Sequence, residues 1–170
     1  ESYYHQRKYR EAIDIGLEAI NYNPDSAKAK TFLIKALIQE EKWDAAQKYL
    51  DGLYPLDEYR NIYYLQGFLE RKKGDLTKAI EAYSNAQKHG RKGFALYREF
   101  SHCYLMIGDL ESAHKNIDEA LRIQPNNNQV IDMAARIAIK QGQEETAQKF
   151  INQLELLDSP EHYKLRLSSF

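Results

Sequence analysis

The chain has 170 residues, with 24 Lys+Arg against 25 Asp+Glu for a formal net charge of −1, 43% hydrophobic residues, 8 Gly, 4 Pro and 1 Cys. That is one domain's worth of ordinary composition. Near-neutral charge argues against a whole-molecule nucleic-acid or anionic-membrane binder, and a lone cysteine excludes an internal disulfide. No stretch approaches the ~20 apolar residues of a membrane helix, and Glu, Lys, Gln and Arg dominate the polar residues, which favours helices. The opening Glu1-Ser2-Tyr3-Tyr4-His5 has neither an initiator Met nor the apolar core of a signal peptide. The chain therefore reads as a fragment of a larger protein, in the reducing cytoplasm.

Taken in order, the segments predict helix pairs. Only Glu1 to about Gln6 precedes a turn expected at Arg7, so the first unit lacks most of its first helix; its second helix runs to Asn23-Pro24-Asp25. First helices then follow around Lys30-Leu33-Leu37, Tyr63-Gly67-Glu70, Tyr97-Phe100-Tyr104 and Ile131-Ala134-Ala138, whose apolar and small residues recur every three to four positions. Each meets a break, at Glu41-Lys42, Gly74-Asp75, Gly108-Asp109 or Gly142-Gln143. Glycine there ends one helix and the following Asp caps the next. Second helices end near Tyr54-Pro55, Gly90-Arg91, Gln124-Pro125-Asn126 and Ser159-Pro160. About ten helices and a partial terminal one are expected, with no strand.

The pairs repeat. Ala12, Ala46, Ala79, Ala113 and Ala147 are spaced 34, 33, 34 and 34 apart, and two further columns, Ile34-Gly67-Ser101-Ala135 and Ala19-Leu53-Ala86-Ala120-Leu154, keep the same period. These residues resemble the tetratricopeptide repeat (TPR) family, above all in Gly74 to Ile80 and in Ala120-Leu121-Arg122-Ile123-Gln124-Pro125-Asn126. The resemblance implies an all-α, right-handed α-solenoid in one array over residues 1–170. Its repeats fall at about 1–26 (partial), 27–59, 60–93, 94–127 and 128–161, with 162–170 starting a further helix. Gln66 departs from the pattern where an apolar residue is usual, as does Glu144 where Tyr9, Trp43, Leu76 and Leu110 are bulky. Repeat two is one residue short, with Pro55 early in its closing loop.

In such arrays the first helices line the concave face, and projecting that orientation gives four sets of residues. They are Lys28, Thr31, Lys35, Ile38 and Gln39; Asn61, Tyr64, Phe68, Arg71 and Lys72; Ala95, Arg98, His102, Leu105 and Met106; and Gln129, Asp132, Arg136, Ile139 and Lys140. Seven Lys/Arg against one Asp give the groove a formal +6 and leave −7 for the rest. The expected function is a protein–protein interaction scaffold binding a peptide or partner protein, acidic in character, in this basic, aromatic-containing groove. Its expected binding residues are Lys28, Lys35, Asn61, Tyr64, Phe68, Arg71, Lys72, Arg98, His102, Arg136 and Lys140. The alternative is a sensor or regulatory helical-repeat arm of a larger signalling protein or enzyme whose catalytic domain lies elsewhere. Tyr64 and Phe68 occupy offsets where a chaperone-tail carboxylate clamp would place Lys and Asn, which disfavours that ligand.

No enzyme is expected. Cys103 and His102 are helix neighbours about 100° apart, the histidines show no zinc spacing, and no nucleotide-binding glycine motif is present, so no cofactor or metal is implied. Gly90-Arg91-Lys92-Gly93 reads as a solvated basic loop, and Tyr22, Tyr49, Tyr63, Tyr83, Tyr97 and Tyr104 as core. Nucleic acid is disfavoured by the balanced charge. Apolar Leu165, Leu167 and Phe170, and an N-terminal half-helix leaving Tyr9 and Ile13 partly open, predict self-association through uncapped ends.

Overall fold

A computed structural model describes residues 2–54 and 57–157, among which the regular structure is helical throughout. Nine helices follow in order: α1 Ser2–Tyr22, α2 Ala27–Gln39, α3 Trp43–Asp51, α4 Tyr59–Lys73, α5 Leu76–Lys88, α6 Phe94–Ile107, α7 Leu110–Ile123, α8 Asn128–Lys140 and α9 Glu144–Leu156. The terminal helix expected at 162–170 and the apolar Leu165, Leu167 and Phe170 lie outside the described residues, as does Pro55.

The expected breaks are where helices turn. Gly74 and Gly108 stand at φ +91° and +87°, and their amides close the ends of α4 and α6. Glu41 takes the same role at φ +57°, the sole non-glycine residue in that region among those described. Asp75 and Asp109 accept from the Lys78 and Ser112 amides at 3.0 Å, capping α5 and α7. The Lys78 side chain and then its backbone amide hold the Asp75 carboxyl below its usual range; the Ser112 amide does the same for Asp109.

One break fails. The turn expected at Arg7 is absent, and α1 runs unbroken through it for 21 residues. Gln6, Arg7 and Lys8 are good helix formers, with no glycine to take a left-handed turn and no Asp to start a new helix. Ile13 is consequently buried rather than open, and Tyr9 is partly covered.

The chain forms two compact units, Glu1–Arg91 and Lys92–Phe170. In the first, α1 packs on α2, α2 on α3, α3 on α4 and α4 on α5, while α2 also touches α4. Its core is Leu33, Ile34, Leu37 and Ile38 from α2 against Leu50, Leu53, Leu65 and Leu69. In the second, α6 packs on α7, α7 on α8 and α8 on α9, with α6 against α8. There Ala113, Ile117 and Ala120 meet Val130, Ala134 and Ile137, and Ile131 and Ala135 meet Ile151 and Leu154.

The repeat columns are the seams. Ala46, Ala79, Ala113 and Ala147 are buried, and so are Ile34, Gly67, Ser101 and Ala135. A Cβ on Gly67 would stand 2.5 Å from the Tyr83 ring, so α4 and α5 approach as closely as they do only because that atom is missing. Ser101 answers its polarity by donating from Oγ to the Ala113 carbonyl at 2.7 Å. Gln66, the polar intruder, exchanges two 3.1 Å amide hydrogen bonds with Gln47 of α3 and donates to Glu70 at 2.8 Å.

Tyrosine packing is mixed. Tyr83 is fully buried, and Tyr49, Tyr63, Tyr97 and Tyr104 are half-buried, but Tyr22 is 93% exposed. Tyr22 stands three residues after column residue Ala19, at the last turn of α1; the equivalent His89 and Ile123 are also exposed.

Candidate interaction surfaces on the first helices

Within the first unit, α2 and α4 frame a cavity of about 600 Å³. Lys28, Thr31, Phe32 and Lys35 come from α2, and Asn61, Tyr64 and Leu65 from α4, because residues three and four apart share a helix face. Phe32, Tyr64 and Leu65 supply an apolar surface. Lys28 and Lys35 are exposed, and neither makes an ion pair with a described residue.

Arg91 completes this cavity. Its guanidinium lies 3.9 Å from the centre of the Tyr64 ring and donates to Asn61 Oδ1 at 2.6 Å. The Asn61 amide in turn donates to Asp57 Oδ1 at 2.8 Å. The basic loop after α5 is thus not merely solvated: Arg91 returns to the face of α4, 30 positions after Asn61. Its only sequence signal is a cation between glycines, which does not say where the chain turns back.

Farther along α4, the Arg71 guanidinium and the Lys72 ammonium stand 5.2 Å and 6.0 Å from the Phe68 ring centre. The three form a local cation–π group whose basic residues follow the ring by one turn of helix.

In the second unit, α6 and α8 frame a cavity of about 940 Å³ that includes His102, Arg136 and Lys140. Cys103, next to His102, is buried. The charge available here is smaller than a residue count gives. Asp132 grips Arg136 through two hydrogen bonds of 2.9 and 3.0 Å, which raises the Arg136 pKa despite the opposing effect of burial. Arg98 donates to Glu99, a buried carboxylate, at 2.8 Å, and also to Gln129. The formal +6 already counts Asp132, but it leaves out the buried Glu99 that opposes Arg98, so it overstates the charge that these residues present. Lys140 is exposed and makes no ion pair with a described residue.

Among the described residues no three His, Cys, Asp or Glu side chains could jointly hold a metal ion, and no helix is long and apolar enough to cross a membrane. Paired helices whose buried seams recur with one period, mostly on small residues, define a helical-repeat fold. Residues 61–88 match the tetratricopeptide repeat model, the family that the repeat columns resemble. It is 27% identical over 124 residues to BBSome complex member BBS4 of Bos taurus, a match covering 73% of this chain. The chain spans only about a quarter of that relative's length, at 24%. Solved structures of the same fold include a thermophilic TPR protein of Thermus thermophilus, with a TM-score of 0.78 and 18% identity over 98% of this chain and 91% of that one. YrrB, described as a TPR protein with an unusual peptide-binding site, gives a TM-score of 0.63 and 16% identity over 84% of this chain and 74% of that one.

Proposed function

We propose that this chain is a protein-interaction scaffold whose first-helix face takes an acidic peptide segment of a partner protein, in the cytoplasm, within a single array of repeats. The observation that supports the reading is the cavity of the first unit, whose lining combines Lys28, Lys35 and Arg91 with Phe32, Tyr64 and Leu65 and holds Asp57 as its carboxylate. Two exposed ammonium groups supply long-range attraction, and Arg91, held over the Tyr64 ring, offers directed donors to a carboxylate. Phe68, Arg71 and Lys72 would extend the contact along α4, and Arg98, His102, Arg136 and Lys140 belong to the same proposal on the first helices of the second unit.

An array of end-capped peptides graded in acidic and apolar content tests this. Binders should combine Asp or Glu with an aromatic or aliphatic residue, and Lys28→Glu with Lys35→Glu should weaken them by about 1 kcal/mol or more without lowering the melting temperature. Matched reversals at Lys48 and Lys115 are the control. Equal loss from both pairs, or binders without acidic residues, would overturn the reading.

A second reading, a regulatory helical-repeat arm of a larger signalling protein or enzyme, is supported by the similarity to a stretch of a much longer BBSome complex member.

A further inference from the structure

We propose that the outward face of α1 is a docking surface for a basic amphipathic helix of a partner protein. No residue of α1 lines either cavity, and this guest is opposite in charge to the one proposed for the first-helix face, so the two readings stand or fall separately.

The repeat period shows that the face is uncovered. α3, α5, α7 and α9 each pack on the first helix that precedes them, whereas α1, among the described residues, packs on α2 alone, the helix that follows it. The effect is visible position by position. Ala46, Ala79, Ala113 and Ala147 are buried, but Ala12 in the same column is half-buried. Leu53, Ala86, Ala120 and Leu154 are fully buried, but Ala19 is half-buried. Between these columns Ile15 is 60% exposed, while its equivalents Tyr49, Ala82, Asn116 and Phe150 are buried or half-buried. Ala12, Ile15 and Ala19 stand three and four residues apart, so they share one side of α1. That side follows the pattern of a helix seam, with two small residues that let a second helix approach closely.

Charge selects the guest. From Glu11 to Tyr22 the chain has three acidic residues, Glu11, Asp14 and Glu18, and no Lys or Arg. All three are exposed, and Asp14 and Glu18 make no ion pair with a described residue. Of the cations just before this stretch, Lys8 offsets one carboxylate, and Arg10 is paired with Glu40 of the α2 C-terminus at 3.4 Å. Tyr22, 93% exposed, follows Ile15 by two helical turns and offers a ring face to a cation. A guest helix with apolar residues two turns apart meets Ile15 and Tyr22 while its Lys or Arg residues reach Asp14 and Glu18. An acidic helix is repelled, and a basic segment without an apolar face leaves Ile15 in water.

Cys103 is the chain's one cysteine and is fully buried, so a thiol-reactive fluorophore on Asn21→Cys, an exposed position beside Tyr22, reports from this face. Three capped peptides are the probes: acetyl-LKKLAKALKKLAKAL-amide, the same sequence with Glu for every Lys, and a scrambled Lys peptide whose leucines share no face. The first should change the fluorescence saturably, and the other two should bind at least about tenfold more weakly. Asp14→Lys with Glu18→Lys should weaken the first peptide at least about tenfold, and Ile15→Gln at least about threefold. Glu81→Lys with Asp118→Lys, exposed positions on α5 and α7, should change its binding less than about twofold. No saturable response, equal binding of the Lys and Glu peptides, or equal loss from both reversal pairs would overturn the proposal. So would a fluorescence change that tracks protein concentration without peptide, which would make the occupant a second copy of this chain.

Discussion

Gly67 has the closest surroundings of the described glycines, and it sets a sharp test. Adding one methyl group there should gain up to ~1 kcal/mol of helix propensity but force the ring of fully buried Tyr83 from its place, at about 1–3 kcal/mol. Overpacking should win, so Gly67→Ala should lower the melting temperature in thermal denaturation by several degrees, as should Ala113→Leu at the next seam. Unchanged melting of both would mean that these columns are not helix crossings. The sequence displays these positions because a crossing tolerates only small atoms, a demand recurring with every repeat. It cannot display Arg91, whose role depends on a loop folding back to Asn61 and Tyr64 rather than on periodicity. Nor can it show that Arg98 and Arg136 are already held, because those pairings depend on side-chain geometry.

At the level of the helices, the turn between α2 and α3 stands out. Glu41 adopts the left-handed conformation that Gly74, Gly108 and Gly142 adopt at the equivalent turns, and its side chain is exposed. A non-glycine residue meets a steric penalty in that region, whereas glycine loses more chain entropy on folding. The first effect is larger, so Glu41→Gly should stabilise the chain by on the order of 0.5–1 kcal/mol, read from denaturant unfolding at constant m-value. A loss of stability would show that the Glu41 side chain does something in the turn beyond occupying it. The same chemistry accounts for the length of α1: a break expected from the repeat period alone has no residue at Arg7 to enforce it, so the helix continues. The breaks at Gly74-Asp75 and Gly108-Asp109 are readable because glycine and Asp punctuate them chemically, and Gly142 marks a third, whereas Glu41-Lys42 is readable from the repeat period.

Across the whole molecule, the border between the two compact units falls at the loop that holds Arg91. Arg91 is partly covered and engaged with Tyr64 and Asn61, whereas Lys92 is exposed. Brief trypsin treatment should therefore nick first after Lys92, as mass spectrometry of the fragments would show, and Lys92→Gln should remove that early cut. A first cut within α4 or α8 would contradict this.

The paired amides of Gln47 and Gln66 bear on how a chain of near-identical hairpins avoids assembling in the wrong order. Apolar seams built on one repeating column are interchangeable, so a hairpin can meet an incorrect neighbour with little loss of buried area. An amide placed at one seam is not interchangeable, because shifting the hairpins by one repeat would set each glutamine against a partner unable to return both hydrogen bonds. This pair therefore works as an address label, a mark that lets the growing chain tell its second hairpin from its fourth.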